Sequence, residues 1–339
     1  MKTYNKRILC FFLITVCIIV FSALGCSAQK NGTALTPASA VREQSKEESA
    51  AIPANAPKVY MTTSITPEGL MAAYNALGLE ANGNVAVKIS TGEPGNTHFL
   101  DPNLIKDLVQ KIEGTIVECN TTYGGRRMST AAHYQVAQEH GFTDIAPVVI
   151  MDEESDISIP VTGGTHLDED FVGARFNEFD FHVVLSHFKG HTMGGFGGAL
   201  KNLSIGYASS MGKRWIHTAG KSKTTMRGDS QDGFLESMAE AAKAVVDANQ
   251  GRILFINVMN HLSVDCDCNG RPAKPLMADV GILASLDPVA LDQACVDIVY
   301  AASDGDSLVQ RIKSRNGLLT IDHAEKIGLG SKKYNLINL

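Results

Sequence analysis

Val280-Gly281-Ile282-Leu283-Ala284-Ser285-Leu286-Asp287-Pro288-Val289-Ala290-Leu291 passes from a β-rich apolar run to the start of a helix. Val280 to Ala284 has the composition of a buried strand. Asp287 then places an acceptor side chain before a proline at the first helical position, where the missing N–H is not needed. Beyond it, Val289, Leu291, Ala294, Cys295, Ile298 and Val299 recur at helical spacing, so one face of the helix packs on the sheet. Cys295 belongs to that face and is expected in the core.

The same strand-to-helix alternation extends outward along the chain. Further strand candidates are Val59 to Thr62, Val85 to Ile89, Thr115 to Glu118, Pro147 to Met151, His182 to Leu185 and Ile253 to Val258. Thr66-Pro67-Glu68 repeats the capped helix start. This rhythm predicts an α/β fold, a mainly parallel sheet with flanking helices. With 44% hydrophobic and 19% charged residues in 339, the chain has ample core-forming material. A net charge of -6 argues against a nucleic-acid surface.

Lys2, Lys6 and Arg7 precede an apolar run from Ile8 to Ala23 that closes on Ala23-Leu24-Gly25-Cys26. That order is a secretory signal. Its end resembles the bacterial lipobox, which implies that Cys26 becomes an acylated first residue. The alternative is an uncleaved membrane helix. Either way the remainder is expected on the extracytoplasmic face of the cell membrane, with the membrane as partner. The expected organisation is a signal at 1–26, a flexible linker at 27–57 poor in apolar periodicity, and an α/β domain at 58–339.

Open α/β sheets bind ligands beyond the carboxyl ends of their strands, and four segments lie there. Lys88 with the loop Thr91 to His98 offers amides and an amine to an anion, or forms a plain turn. Cys119-Asn120-Thr121-Thr122-Tyr123-Gly124-Gly125-Arg126-Arg127 sets two guanidiniums beside hydroxyls, matching carboxylates or phosphates, or is a solvated loop. In the run from Ser186 to Asn202, His187, Lys189, His191, Gly194, Gly195, Gly197, Gly198, Lys201 and Asn202 converge on an expected helix start, a setting for an anion. His187 and His191 are alternatively metal ligands, although Gly190 argues against a helical pair. The fourth segment, Asn260 to Gly270, carries Asp265, Cys266, Asp267 and Cys268. They are soft and hard metal donors, or oxidised thiols, one of them paired with Cys119 or with another molecule.

These same stretches resemble the domain of unknown function 362 family over nearly all of Lys58 to Leu339. The resemblance rests on Asn120 to Arg127, Leu185 to His191, Gly194 to Leu203, Asp265 to Cys268, Asp279 to Ala290, and the close Gly328-Leu329-Gly330-Ser331 with Tyr334. Relatives described as iron–sulfur centre proteins carry a cysteine-rich insert after the segment matching Gly198 to Gly212. Here Lys213 to Asp232 has no cysteine, and a cubane cluster needs four thiolates or equivalent ligands.

The residues together lead us to expect a pocket in which Lys88, Asn120, Arg126, Arg127, Lys201 and Asn202 hold an anionic small molecule. His187, Lys189 and His191 are the candidate catalytic groups, and His187, His191, Asp265, Cys266 and Cys268 the candidate ligands of a divalent metal. A non-catalytic solute- or metal-binding lipoprotein and a redox protein are the alternatives. Arg175 to Asp180 and Thr218 to Asp229 are expected at the surface rather than as lids.

Overall fold

A computed structural model describes residues 52–227 and 230–339. The signal, the acylation at Cys26 and most of the linker lie outside the described residues. Among those described, no helix is long and apolar enough to cross a membrane.

The strands are β1 (Lys58–Thr62), β2 (Val85–Lys88), β3 (Thr115–Glu118), β4 (Val148–Ile150), β5 (Asp156–Pro160), β6 (Glu169–Gly173), β7 (Phe181–His187), β8 (Lys189–His191), β9 (Gly195–Gly197), β10 (Ile253–Met259), β11 (Gly281–Ser285) and β12 (Asn335–Asn338). Eight of them form one sheet in the order β12-β1-β11-β10-β7-β2-β3-β4. Only β11 runs against its neighbours; the other pairings are parallel. The expected α/β architecture is therefore present, with all seven expected strands in it.

Alternation along the strands builds two apolar layers. On β10, Leu254, Ile256 and Val258 pack on one face with Leu70 and Ile105 from helices Pro67–Ala76 and Pro102–Lys111. Ile253, Phe255 and Met259 pack on the other with Leu235 and Leu291 from helices Gln231–Asn249 and Pro288–Ala301. Three helix caps form. Thr66 accepts from the Gly69 amide, Asp101 from that of Asn103, and Asp287 from those of Val289 and Ala290. Cys295 is fully buried, as its helical position predicts.

Strands β5 and β6, β8 and β9, and the edge strand β12 were not expected. The two pairs are separate antiparallel ribbons of at most five residues, and β8 and β9 are rich in glycine, so neither propensity nor period marks them. β3, β2, β7 and β10 are consecutive in the sheet and parallel. Their carboxyl ends therefore stand side by side, bringing the four singled-out segments together.

Candidate functional site

Those four ends surround a cavity of about 440 Å³, a size that suits a small ligand. Its floor is an ion network around Glu118, the last residue of β3. Glu118 accepts hydrogen bonds from Lys88 Nζ at 2.9 Å, Arg127 Nη1 at 3.2 Å and the Thr91 amide at 2.8 Å. Burial opposes its ionisation, but Lys88, Arg127 and His133 outweigh burial and bring its pKa down to about 2. Arg127 also donates to Glu93 Oε1 at 3.0 Å and Tyr123 OH at 2.9 Å. The guanidinium is thus spent on holding three segments together.

A second buried carboxylate, Asp267, ties the fourth segment to the third. Lys189 Nζ donates to its Oδ1 at 2.8 Å and His187 Nδ1 lies 3.0 Å from its Oδ2. Burial again resists ionisation, and the charges of His187 and Lys189 overcome it, holding the carboxyl well below its usual range. His187 Nε2 faces the Asn260 carbonyl at 2.9 Å, so neither nitrogen of this ring is free. Close approach completes the tie: a Cβ on Gly190 would stand 2.4 Å from the Val264 carbonyl oxygen.

The third segment forms a hairpin before its helix starts. His191 ends β8, and its Nδ1 accepts from the Gly194 amide at 2.8 Å. Gly194 ends the turn and Gly195 opens β9, and neither lines the cavity. The helix begins later, at Ala199, where Asp292 Oδ1 and Oδ2 accept from the amides of Ala199 and Leu200 at 2.8 and 2.9 Å. This buried internal carboxylate takes the place at the helix N-terminus that the sequence leaves for an external anion. Burial, against these hydrogen bonds, raises the pKa of Asp292 to about 6. A π-helical turn, Asn202–Gly206, follows. Asn202 there donates to the Lys88 carbonyl at 3.1 Å and Ser186 Oγ at 3.1 Å, and accepts from Lys88 Nζ at 3.1 Å.

Lys201 lies in the same short helix and faces the cavity. Its ammonium has no hydrogen-bond or ion-pair partner among the described residues. Burial, with the nearby Arg127 and Lys88, lowers its pKa to about 8 despite the attraction of Asp267 and Glu118. Lys213 donates to the Ala208 carbonyl and, among the described residues, pairs with no carboxylate within hydrogen-bond distance. Thr121 and Thr122 also line the cavity, and their buried hydroxyl oxygens have no partner.

A family model described as Domain of unknown function (DUF362) matches residues 85–297, well over half of the chain. The chain belongs to the DUF362 family. No curated protein matches the sequence. Solved structures similar to this DUF362 chain include the lactate racemase apoprotein from Thermoanaerobacterium thermosaccharolyticum, 12% identical with a TM-score of 0.42, where 71% of this chain aligns with 56% of that one. A protein from Thermotoga maritima is 14% identical with a TM-score of 0.40, over 77% of this chain and 58% of its own. The DUF362 chain thus spans little more than half the length of either.

Among the residues singled out from sequence, Lys88, Arg127, His187, His191, Gly197, Gly198, Lys201, Asn202, Asp265, Cys266 and Cys268 line the cavity. Arg126 does not: it points to solvent and forms a two-pronged pair with Glu139 at 2.6 and 2.7 Å. Asn120 is a buried brace, with its amide donating to Asp152 and its side chain to Thr130. Lys189 is sealed behind the wall by Asp267 and the His98 carbonyl. Asp265 turns toward Arg311 at 3.4 Å. Arg175 pairs with Glu153 and Glu178 away from the cavity, whereas the polar loop after Thr218 contributes Met226 to its wall.

Sequence reasoning gave no site role to Glu118, Lys213 or His217, and read Asp267 as a metal donor where the structure makes it the partner of Lys189 and His187. Lys213 and His217 stand one helical turn apart in Ser210–His217, a spacing that could have flagged them. His217 Nδ1 lies 2.6 Å from the Lys213 carbonyl and must donate to it, leaving the lone pair on Nε2. Burial lowers its pKa to about 4, so this cavity-lining imidazole is neutral at pH 7.

The metal reading fares less well. A ring nitrogen of His191 and the sulfurs of Cys266 and Cys268 lie within 4.8 Å of one another, residue types suited to a soft metal. The two sulfurs are bonded to each other, however, and not to Cys119. Metals bind thiolates, and His191 Nδ1 is already an acceptor. With both nitrogens of His187 engaged and Asp265 turned to Arg311, the set as arranged does not fit a divalent ion. Among the described residues, four thiolates for a cluster are not assembled either. Burial drives the Cys119 thiol up to about 12 as it donates to the Tyr207 carbonyl, and Cys295 is enclosed in the core.

Proposed function

We propose that this DUF362 domain binds a small anionic molecule in the cavity at the ends of β3, β2, β7 and β10. The observation that carries this reading is the unpartnered ammonium of Lys201. Lys201 is half-buried, and even partial enclosure of a charge is costly without a counter-charge; the lining holds four Lys and Arg side chains against three carboxylates although the chain's net charge is -6. An anion seated against Lys201 and Lys213 supplies that counter-charge, with the hydroxyls of Thr121 and Thr122 as donors to its oxygens. The remaining cations serve the frame: Lys88 and Arg127 are neutralised by Glu118 and Glu93.

Chemistry on the bound anion is favoured by a second observation. His217 presents a free lone pair in the cavity and Lys201 a proton held near neutral pH, a base and an acid suited to proton transfer. His187, with neither nitrogen free, and Lys189, outside the lining, act in this reading as supports. The domain works at the extracytoplasmic face of the membrane, anchored through Cys26. Support for that placement is the order of charged, apolar and small residues before Cys26.

Thermal-shift screening against small carboxylates and phosphates tests the binding proposal. A shift with at least one anion, lost in Lys201→Met and retained in Arg126→Ala, is expected. No shift across the series, or equal shifts in wild type and Lys201→Met, overturns it.

A further inference from the structure

We propose that Cys266 and Cys268 form an exchangeable disulfide through which the cavity oxidises small anionic thiols. The charge preference in this proposal rests on the anion reading above; the exchange itself rests on the sulfur geometry. Both cysteines line the cavity, so a bound molecule reaches the pair directly. Cys119 and Cys295 are buried free thiols, leaving Cys266–Cys268 the one disulfide among the described residues.

The two sulfurs are not equivalent. Cys266 is the more enclosed, at 9% exposure, and accepts a hydrogen bond from the Cys268 amide at 3.3 Å. Such a donor stabilises a thiolate on Cys266, making it the better leaving group. His191 adds to this. Because Nδ1 accepts from Gly194, the ring's proton resides on Nε2, and the ring lies within 4.8 Å of both sulfurs. Cys268, partly exposed, is the sulfur open to attack.

In the first step an incoming thiolate forms a bond to Cys268 Sγ, the Cys266–Cys268 bond breaks, and its electron pair leaves on Cys266 Sγ. A second thiolate attacks the substrate sulfur of the mixed disulfide and expels Cys268 as thiolate. Two substrate thiols become one disulfide while the protein pair gains two electrons; protons lost from the substrate thiols balance those taken up by the cysteines. Lys201 lines the same cavity as both cysteines and favours a thiol that carries a carboxylate.

The test treats oxidised full-length protein with 3-mercaptopropionate or with cysteamine, similar in size and opposite in charge. Reduction of the pair is followed by site-resolved thiol labelling, with rates referred to the thiolate present. We expect 3-mercaptopropionate to react about tenfold faster or more, and Lys201→Met to lose that preference while still being reduced by dithiothreitol. Cys266→Ser, which keeps the exposed sulfur, is expected to give a mixed disulfide on Cys268 when offered oxidised 3-mercaptopropionate. A folded protein whose pair resists dithiothreitol and becomes reactive only in denaturant overturns the exchange and leaves anion binding standing. Ready reduction with no charge preference overturns the anionic-thiol assignment and, with it, the role given to Lys201.

Discussion

Replacing Glu118 by Gln removes one negative charge from the floor of the cavity and leaves the Lys88 ammonium and the Arg127 guanidinium enclosed beside it. Gln keeps an acceptor for the Thr91 amide, so the change isolates the charge. Breaking a buried, hydrogen-bonded pair from one side costs about 3–5 kcal/mol. For a domain of this size that corresponds to roughly 5–9 °C in the unfolding midpoint. The pH dependence fixes the cause. The folded pKa of Glu118, about 2, lies below its ordinary value of 4.5, so its contribution is fully present above the unfolded value and is lost as pH falls through the folded one. The gap between wild type and Glu118→Gln is therefore constant at neutral pH and narrows below about 4.5. Thermal unfolding followed by circular dichroism from pH 7 to pH 3 measures it. Lys88→Met combined with Glu118→Gln is expected to cost less than the two singles summed. A midpoint within two degrees of wild type at pH 7, or a gap that widens in acid, would refute the network as described.

Other parts of the molecule give independent expectations. Gly190→Val places methyl groups against the Val264 backbone and should separate the third and fourth segments, lowering stability by about 1–3 kcal/mol in denaturant titrations; an unchanged midpoint contradicts the close approach. Asp292→Asn sets an amide against the helix amides. Because the folded pKa of about 6 lies above the ordinary value of 3.8, the stabilisation from protonated Asp292 is lost as pH rises between those values, so the variant's deficit should shrink from about pH 4 to about pH 6 and level off above; a deficit that grows contradicts the sign. Cys26→Ser should abolish incorporation of labelled palmitate and release the protein from the membrane fraction; persistence of both would exclude Cys26 as the anchor.

The fold was legible because its signals are local: strand composition, helix period and capping at Thr66, Asp101 and Asp287 are each written within a few residues. The cavity was legible to the extent that position decides it, since any polar residue just past β3, β2, β7 or β10 falls at its rim. What side chains do there was not legible. Arg126 and Arg127 are adjacent and chemically identical, yet one meets Glu139 in solvent and the other Glu118 and Glu93 in the interior. Asp265 and Asp267 flank the same cysteine and turn to opposite partners. The helix after the glycine run seemed free to receive an anion, but Asp292, more than ninety residues onward, already accepts its amides. Partners this distant in sequence are set by packing, which no spacing along the chain encodes.

The most direct test of the anion site is isothermal titration of the best-bound anion from the thermal-shift series between pH 6.5 and pH 10, for wild type and Lys201→Met. A charge-assisted contact contributes about 1.5–3 kcal/mol, roughly ten- to 150-fold in affinity. Lys201 is charged below its folded pKa of about 8, and a bound anion raises that value, so wild-type affinity should fall as pH rises past about 8, whereas the weaker Lys201→Met affinity, left with Lys213, should fall less steeply there. Equal affinities in the two proteins, or parallel pH profiles, would contradict the assignment of Lys201 as the ligand's counter-charge.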